Sequence, residues 1–241
     1  DAEKLVAQLN EYFLGMVEAV LQQKGTLQKF IGDAIMAVWG DTHTEGSAND
    51  AARAVATALK MRSTLLRLNK EWEGKPNRAE LKIGIGVNHG EVVVGNIGHP
   101  LRMEFTVLGD GVNLAARLES ATKQFHTDIL IGETVEALTR DRFIYRAVDL
   151  LTVKGKTRPV EVFELLGDRS EPPPPWLAVY HEAVGLYRQR CFEQAIGKLK
   201  DTRQAIGGED FLCEMYLERC AHYLKEPPSK DWDGSFTLTD K

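Results

Sequence analysis

Leu5, Val6, Leu9, Phe13, Met16 and Val17 recur at three- and four-residue intervals, so residues 1–24 read as an amphipathic helix that Gly25 stops. The period then changes. Residues 26–39 read as two strands folded around Gly32-Asp33, a pair suited to a turn because glycine accepts positive φ and aspartate bonds its own backbone. After the polar loop GDTHTEGSAND, the stripe Ala51, Val55, Ala58, Leu59, Leu65 and Leu66 predicts a helix from about Ala48 to Trp72. Leu81, Ile83 and Ile85 alternate, Val92 to Val94 follow, and Asn88-His89-Gly90 reads as the hairpin turn between them. MEFTVLGDGVNLAARLESA reads as a strand, a Gly-Asp-Gly turn and a helix that buries Val112, Leu114, Ala115 and Leu118. Short strands follow at DILIG, at Phe143 to Val148 and in RPVEVFELLG. Hairpins among alternating helices and strands indicate a mixed α+β sheet.

At EPPPPW, residues 171–176, four prolines make a stiff linker that cannot continue a sheet. Beyond it Ala183, Leu186, Phe192, Ala195 and Leu199 take the spacing of a helix-turn-helix pair resembling the tetratricopeptide pattern, and Phe211 to Leu224 reads as one more helix. An array of such pairs needs about three repeats to stand alone, so this one is expected to dock on its neighbour or on another subunit. The division expected is therefore 1–167, a linker at 168–175, and a helical extension at 176–241.

Composition changes this picture little. The 241 residues are 43% apolar and 27% charged, with a formal net charge of −5, which gives no support for a nucleic-acid binder. Cys191, Cys213 and Cys220 are odd in number and form no CxxC pair, as expected of a reducing compartment. No apolar run approaches the ~20 residues that span a bilayer. The chain opens on Asp1 within a helical pattern and reads as part of a longer protein.

Three constellations carry candidate chemistry. Asn113 and Arg117 lie four apart on a predicted helix behind a glycine turn, where helix amides favour an anion and an arginine one turn on could grip a phosphate. Taken alone, this also fits a solvated arginine and a surface amide. Lys154 and Lys156 flank Gly155 before a strand, a pattern compatible with phosphate and also ordinary on surfaces. Lys29 and Asp33 share strand parity, but the turn between them could part them.

Their order is more specific than any one of them. LNEYF, KFIGDAIMAVWG, GIGVNHGEVVVGNIG, FTVLGDGVNLAARLE and VKGK, in that sequence, resemble the catalytic domain of class III adenylate and guanylate cyclases, bacterial adenylate cyclases in particular. The resemblance runs from residue 1 to about 166. It implies a ferredoxin-like βαββαβ-derived mixed sheet and a homodimer whose two active sites are each built from both subunits. Asp33 then resembles one of two aspartates holding a pair of Mg²⁺ ions, for which Mn²⁺ can substitute. Lys29 and Thr106 match the purine-reading positions, Asn113 the residue orienting the ribose, and Arg117 the arginine stabilising the reacting phosphate. Lys154 matches the lysine on the terminal phosphates, with Lys156 a second candidate.

A lysine donor and a threonine hydroxyl suit the ring acceptor and exocyclic amine of adenine, whereas guanine would favour a carboxylate or amide. ATP conversion to 3′,5′-cyclic AMP is therefore the expected activity, with guanylate cyclase and a non-catalytic cyclase-homology module as alternatives. A scaffold working through its helical tail is a further rival, disfavoured because one incomplete repeat offers little concave surface. Threonine at 106 is similar to the bicarbonate-responsive subgroup, which makes bicarbonate a candidate effector. The resemblance also implies an opening strand like F-x-D-I-x-G-F-T, bearing the other metal aspartate, before residue 1; the chain expressed without it is expected to be inactive. Similar bacterial cyclases are tethered to membranes by upstream regions, which implies a cytoplasmic placement, with no membrane contact from these residues themselves.

Overall fold

The computed structural model describes residues 2–151 and 159–235. Two compact units emerge, one of Asp1–Lys123 with Thr127–Arg142, the other of Gln124–His126 with Phe143–Lys241.

In the first unit, α1 (Ala2–Gln22) and α2 (Ser47–Trp72) pack together through Met16, Ala19 and Val20 on one side and Met61, Leu65, Leu68 and Trp72 on the other. The hairpin β1 (Thr26–Ile31) and β2 (Ala34–Val38) lays Ile35 and Ala37 on this core, and Trp39 just beyond β2 joins them. Leu81, Ile83 and Ile85 cover it as well. The predicted period of two is thus real, yet regular strand begins only at Ile85. Upstream, the backbone bonds to helix side chains instead of to a strand. Asn69 donates to Leu81 O at 2.8 Å and accepts from its N–H at 3.0 Å, and Gln8 does the same for Ala79 at 2.7 and 3.3 Å. Two side-chain amides mimic a neighbouring strand and satisfy those groups.

The expected hairpin at Asn88-His89-Gly90 is not formed. β3 (Ile85–Val87) pairs in parallel with β6 (Ile129–Gly132), Ile85 opposite Ile129. β4 (Val93–His99) pairs antiparallel with β5 (Arg102–Leu108), Val93 opposite Leu108. The turn signal is spent on a change of direction, because β4 finds its partner ahead of it in the chain. Between β5 and β6 runs α3 (Asp110–Phe125), joined to β5 by Gly109 alone, at φ +148°. A short helix absent from the sequence reading, α4 (Glu133–Thr139), follows β6 directly. Parallel and antiparallel pairs coexist with helices, as the mixed α+β expectation requires.

The second unit joins β7 (Phe143–Leu151) and β8 (Val160–Asp168), an antiparallel pair, to α5 (Trp176–Arg188), α6 (Phe192–Ile206) and α7 (Phe211–Lys225). The β7 register slips between Ala147 and Asp149, a bulge that releases backbone groups from the ladder. The helices take them up: Tyr180 Oη donates to Ala147 O at 2.8 Å, Tyr216 Oη to Val148 O at 3.0 Å, and Ala147 N–H donates to His181 Nε2 at 3.2 Å. Two ion pairs lie in the same layer, Arg219 with Asp149 at 2.7 Å and Arg146 with Asp210. Trp232 folds back to close an aromatic cluster with Tyr187, Phe192 and Tyr223.

Candidate active site

Lys29 projects from β1 toward β5, where its Nζ meets Glu104 Oε1 at 3.1 Å. Glu104 and Thr106 are two apart on β5 and so share a face. Thr106 is buried and stands opposite Gly95 of β4. The two purine-reading candidates are thereby brought to neighbouring strands, with Glu104 tying one to the other's strand.

Asp33 follows Gly32, whose φ of +63° makes the turn between β1 and β2, and it is exposed. Lys29 is not its partner. Its charge is felt by Tyr12 of α1, whose phenol is pushed up to about 12, first by burial and then by Asp33. Asn113 and Arg117 stand exposed one turn apart on α3, and among the described residues no ion pair occupies Arg117. The helix begins at Asp110, immediately after Gly109, so the expected Gly-Asp-Gly turn is a single glycine followed by helix. That places Asn113 in the first turn, near the free amides and positive dipole end. Lys154 and Lys156 lie outside the described residues.

Among the described residues no three His, Cys, Asp or Glu side chains converge to hold a metal ion. Asp33 supplies one exposed hard-oxygen donor, which fits Mg²⁺ in kind, since that ion takes one or two carboxylates and completes its shell with water and substrate phosphates. Its donor set is completed only by further oxygen ligands.

Two residues escaped the sequence reading. Glu104 has the same strand parity as Thr106, a signal that was present. Asn88, read as a turn former, donates through Nδ2 to Gly111 O at 3.0 Å in the first turn of α3. It continues an alternation of Gly84, Gly86 and Asn88 that runs opposite to Leu81, Ile83 and Ile85.

Comparison with known proteins bears on this arrangement. Residues 1–167 match the family described as the adenylate and guanylate cyclase catalytic domain. An adenylate cyclase of Dictyostelium discoideum, specific to terminal differentiation, is 32% identical over 227 residues, which cover 90% of this chain but 10% of that protein. The chain thus spans a small part of that relative, while the match reaches past residue 167 into the helices. Among solved structures, the adenylyl cyclase CyaB from P. aeruginosa is 36% identical with a TM-score of 0.63, covering 69% of this chain and 84% of that one. The guanylyl cyclase Cya2 is 35% identical with a TM-score of 0.62, covering 70% and 83%.

Proposed function

Because the chain belongs to the adenylate and guanylate cyclase catalytic-domain family, we propose that it serves an adenylate cyclase, forming 3′,5′-cyclic AMP and pyrophosphate from ATP. The ribose 3′-oxygen attacks the α-phosphorus in line, the new 3′-O–P bond forms, and the bond to the β-phosphate bridging oxygen breaks. The hydroxyl proton passes to solvent. Such transfer asks a protein for positioning and charge rather than for a nucleophile.

Each side chain has a part. Asn113 orients the ribose, Arg117 stabilises charge gathering on the α-phosphate, and Lys154, with Lys156 as second candidate, grips the terminal phosphates. Asp33 would hold divalent cations, Mg²⁺ or Mn²⁺, two per site together with the aspartate expected upstream. When bound, these lower the pKa of the 3′-hydroxyl and neutralise phosphate charge. Lys29 donates to a purine ring nitrogen and Thr106 accepts from the exocyclic amine.

The site is shared across a homodimer, so that Asp33 and Lys29 of one chain serve opposite sites. Residues 1–167 form the catalytic domain, 168–175 a linker, and 176–241 a tetratricopeptide-like extension. The compartment is cytoplasmic, a reading supported by Cys191, Cys213 and Cys220, all free thiols. Bicarbonate is a candidate effector through Thr106; an unchanged rate on adding it at fixed pH would remove it.

The likeness to Cya2 raises guanylate cyclase as a second reading. The observation that supports ATP is the chemistry of the proposed purine pair, a lysine held beside the strand of a buried threonine. The test is turnover of ATP and GTP by the full-length protein with Mg²⁺ or Mn²⁺. Cyclic AMP formation abolished by Asp33→Ala is expected. Preference for GTP, or full activity in that variant, would overturn the reading.

A further inference from the structure

β3 and the residues before it present two unlike faces. One carries Leu81, Ile83 and Ile85 into the α1–α2 core. The other carries Gly84, Gly86 and Asn88, and α3 lies on it. A Cβ on Gly86 would collide with Ala115 O and Glu119 N, and one on Gly84 with Thr122 Oγ1, leaving Glu119 O 3.1 Å away. The helix therefore rests on bare backbone with its 111, 115, 118, 119 and 122 side. Position 113 is about 200° round the helix from 111, so this contact turns Asn113 and Arg117 outward.

Such a track brings the helix close but offers no knobs. Interdigitating side chains are what ordinarily fix rotation and axial position between packed elements, and a run of glycines supplies none. Among the described residues one side-chain hydrogen bond joins this strand to α3, from Asn88 Nδ2 to Gly111 O at 3.0 Å. Asn88 is itself wedged: a Cβ on Gly132, at the end of β6, would come within 2.7 Å of its Oδ1. Gly90 and Gly111 face each other closely, the ideal Cβ of the first lying 3.9 Å from the Cα of the second.

We infer that Asn88 is a positioning residue of the cyclase site, the pin that sets the rotation and axial register of α3 and so aims Asn113 and Arg117 at the ribose and α-phosphate. This rests on the roles given to those two residues above. The pin acts on the groups that contact the reacting phosphate and leaves the Lys29–Thr106 purine contacts on other strands alone. Its loss is felt in kcat rather than in KM or in the choice of purine.

Asn88→Asp is nearly isosteric and keeps an oxygen toward Gly132, but it cannot donate to Gly111 O. In the full-length protein kcat for ATP is expected to fall about ten- to a hundredfold, the scale of a catalytic group misplaced by about 1 Å. KM is expected to stay within about twofold, with the ATP-to-GTP preference unchanged. Combined with Arg117→Ala, the variant should lose less than the product of the two separate losses, the remainder being what passes through Asn113, because residues acting through one another are not additive. Asn88→Ala removes the donor without adding charge and replaces Asn88→Asp should the latter melt early.

Unchanged kcat in a folded variant, a change confined to KM, or losses that multiply with Arg117→Ala would each overturn the pin while leaving the cyclase reading intact. A wild-type rate in Arg117→Ala alone would overturn the role given to Arg117, and the pin with it, while leaving the cyclase reading standing.

Discussion

Lys29 is held by Glu104 in a pair that is partly open to water, where an ion pair contributes little to stability. In the proposed function its value lies in what the ammonium reads. Lys29→Met should leave thermal melting nearly unchanged while kcat/KM for ATP falls about ten- to a hundredfold, the worth of a charge-assisted hydrogen bond. Turnover of GTP should fall less, and equal losses for the two nucleotides would contradict a purine-reading role. Asp149 and Arg219 are the opposite case, each 4% exposed and 2.7 Å apart. Arg219→Met strands the carboxylate and should cost about 3–5 kcal/mol in urea unfolding; a loss within experimental error would mean that water reaches the pair. These residues also divide what the sequence discloses from what it hides. Lys29, Asp33, Thr106, Asn113 and Arg117 could be named as candidates because each sits in a short local motif. Glu104 with Lys29, Asn88 with Gly111, and Asp149 with Arg219 are partners 75, 23 and 70 positions apart, and no local spacing announces such pairs.

At the level of elements, periodicity announced most helices and strands but not whom they pair with. Leu81, Ile83 and Ile85 alternate as a strand should, yet Asn69 and Gln8 take the backbone bonds a neighbouring strand would take. The docking of α5 on β7 was likewise illegible, because it depends on a bulge that frees Ala147 for His181. That contact carries a pH dependence. Nε2 can accept the Ala147 N–H only while the ring is neutral, and burial around the ring, with Arg146 and Arg188 adding to it and Glu161 opposing, holds the His181 pKa below its usual 6.5 although the residue taken whole is exposed. A group whose folded pKa is depressed contributes stability above its unfolded pKa and loses it as pH falls through the folded one. The urea midpoint should therefore be flat above about pH 6.5 and decline below it. His181→Gln keeps an acceptor without a titrating ring and should flatten that decline; an unaltered pH profile in the variant would assign the slope to other groups.

For the molecule as a whole, the texture change at Pro172–Pro175 suggested a boundary, whereas the compact second unit takes in β7 and β8 together with α5, α6 and α7. The match to the Dictyostelium cyclase runs through 90% of the chain, so the likeness continues past residue 167 into the helices. Within the unit the reason is physical. The bulged part of β7 satisfies its freed groups on Tyr180, His181 and Tyr216, and Arg146 and Asp149 find their charge partners on or before α7. Ending the chain after Asp168 would leave those backbone groups and charges to water and bare a strand edge able to pair with other chains. Truncation there should yield protein that aggregates on expression, or whose β7 and β8 amides exchange within minutes while α1 and α2 stay protected. A truncated protein that stayed soluble, with β7 and β8 as protected as in the full chain, would show that the hairpin holds itself and that the helices are a separable appendage. The opposite result would make them a structural part of the unit that carries the catalytic domain's last hairpin.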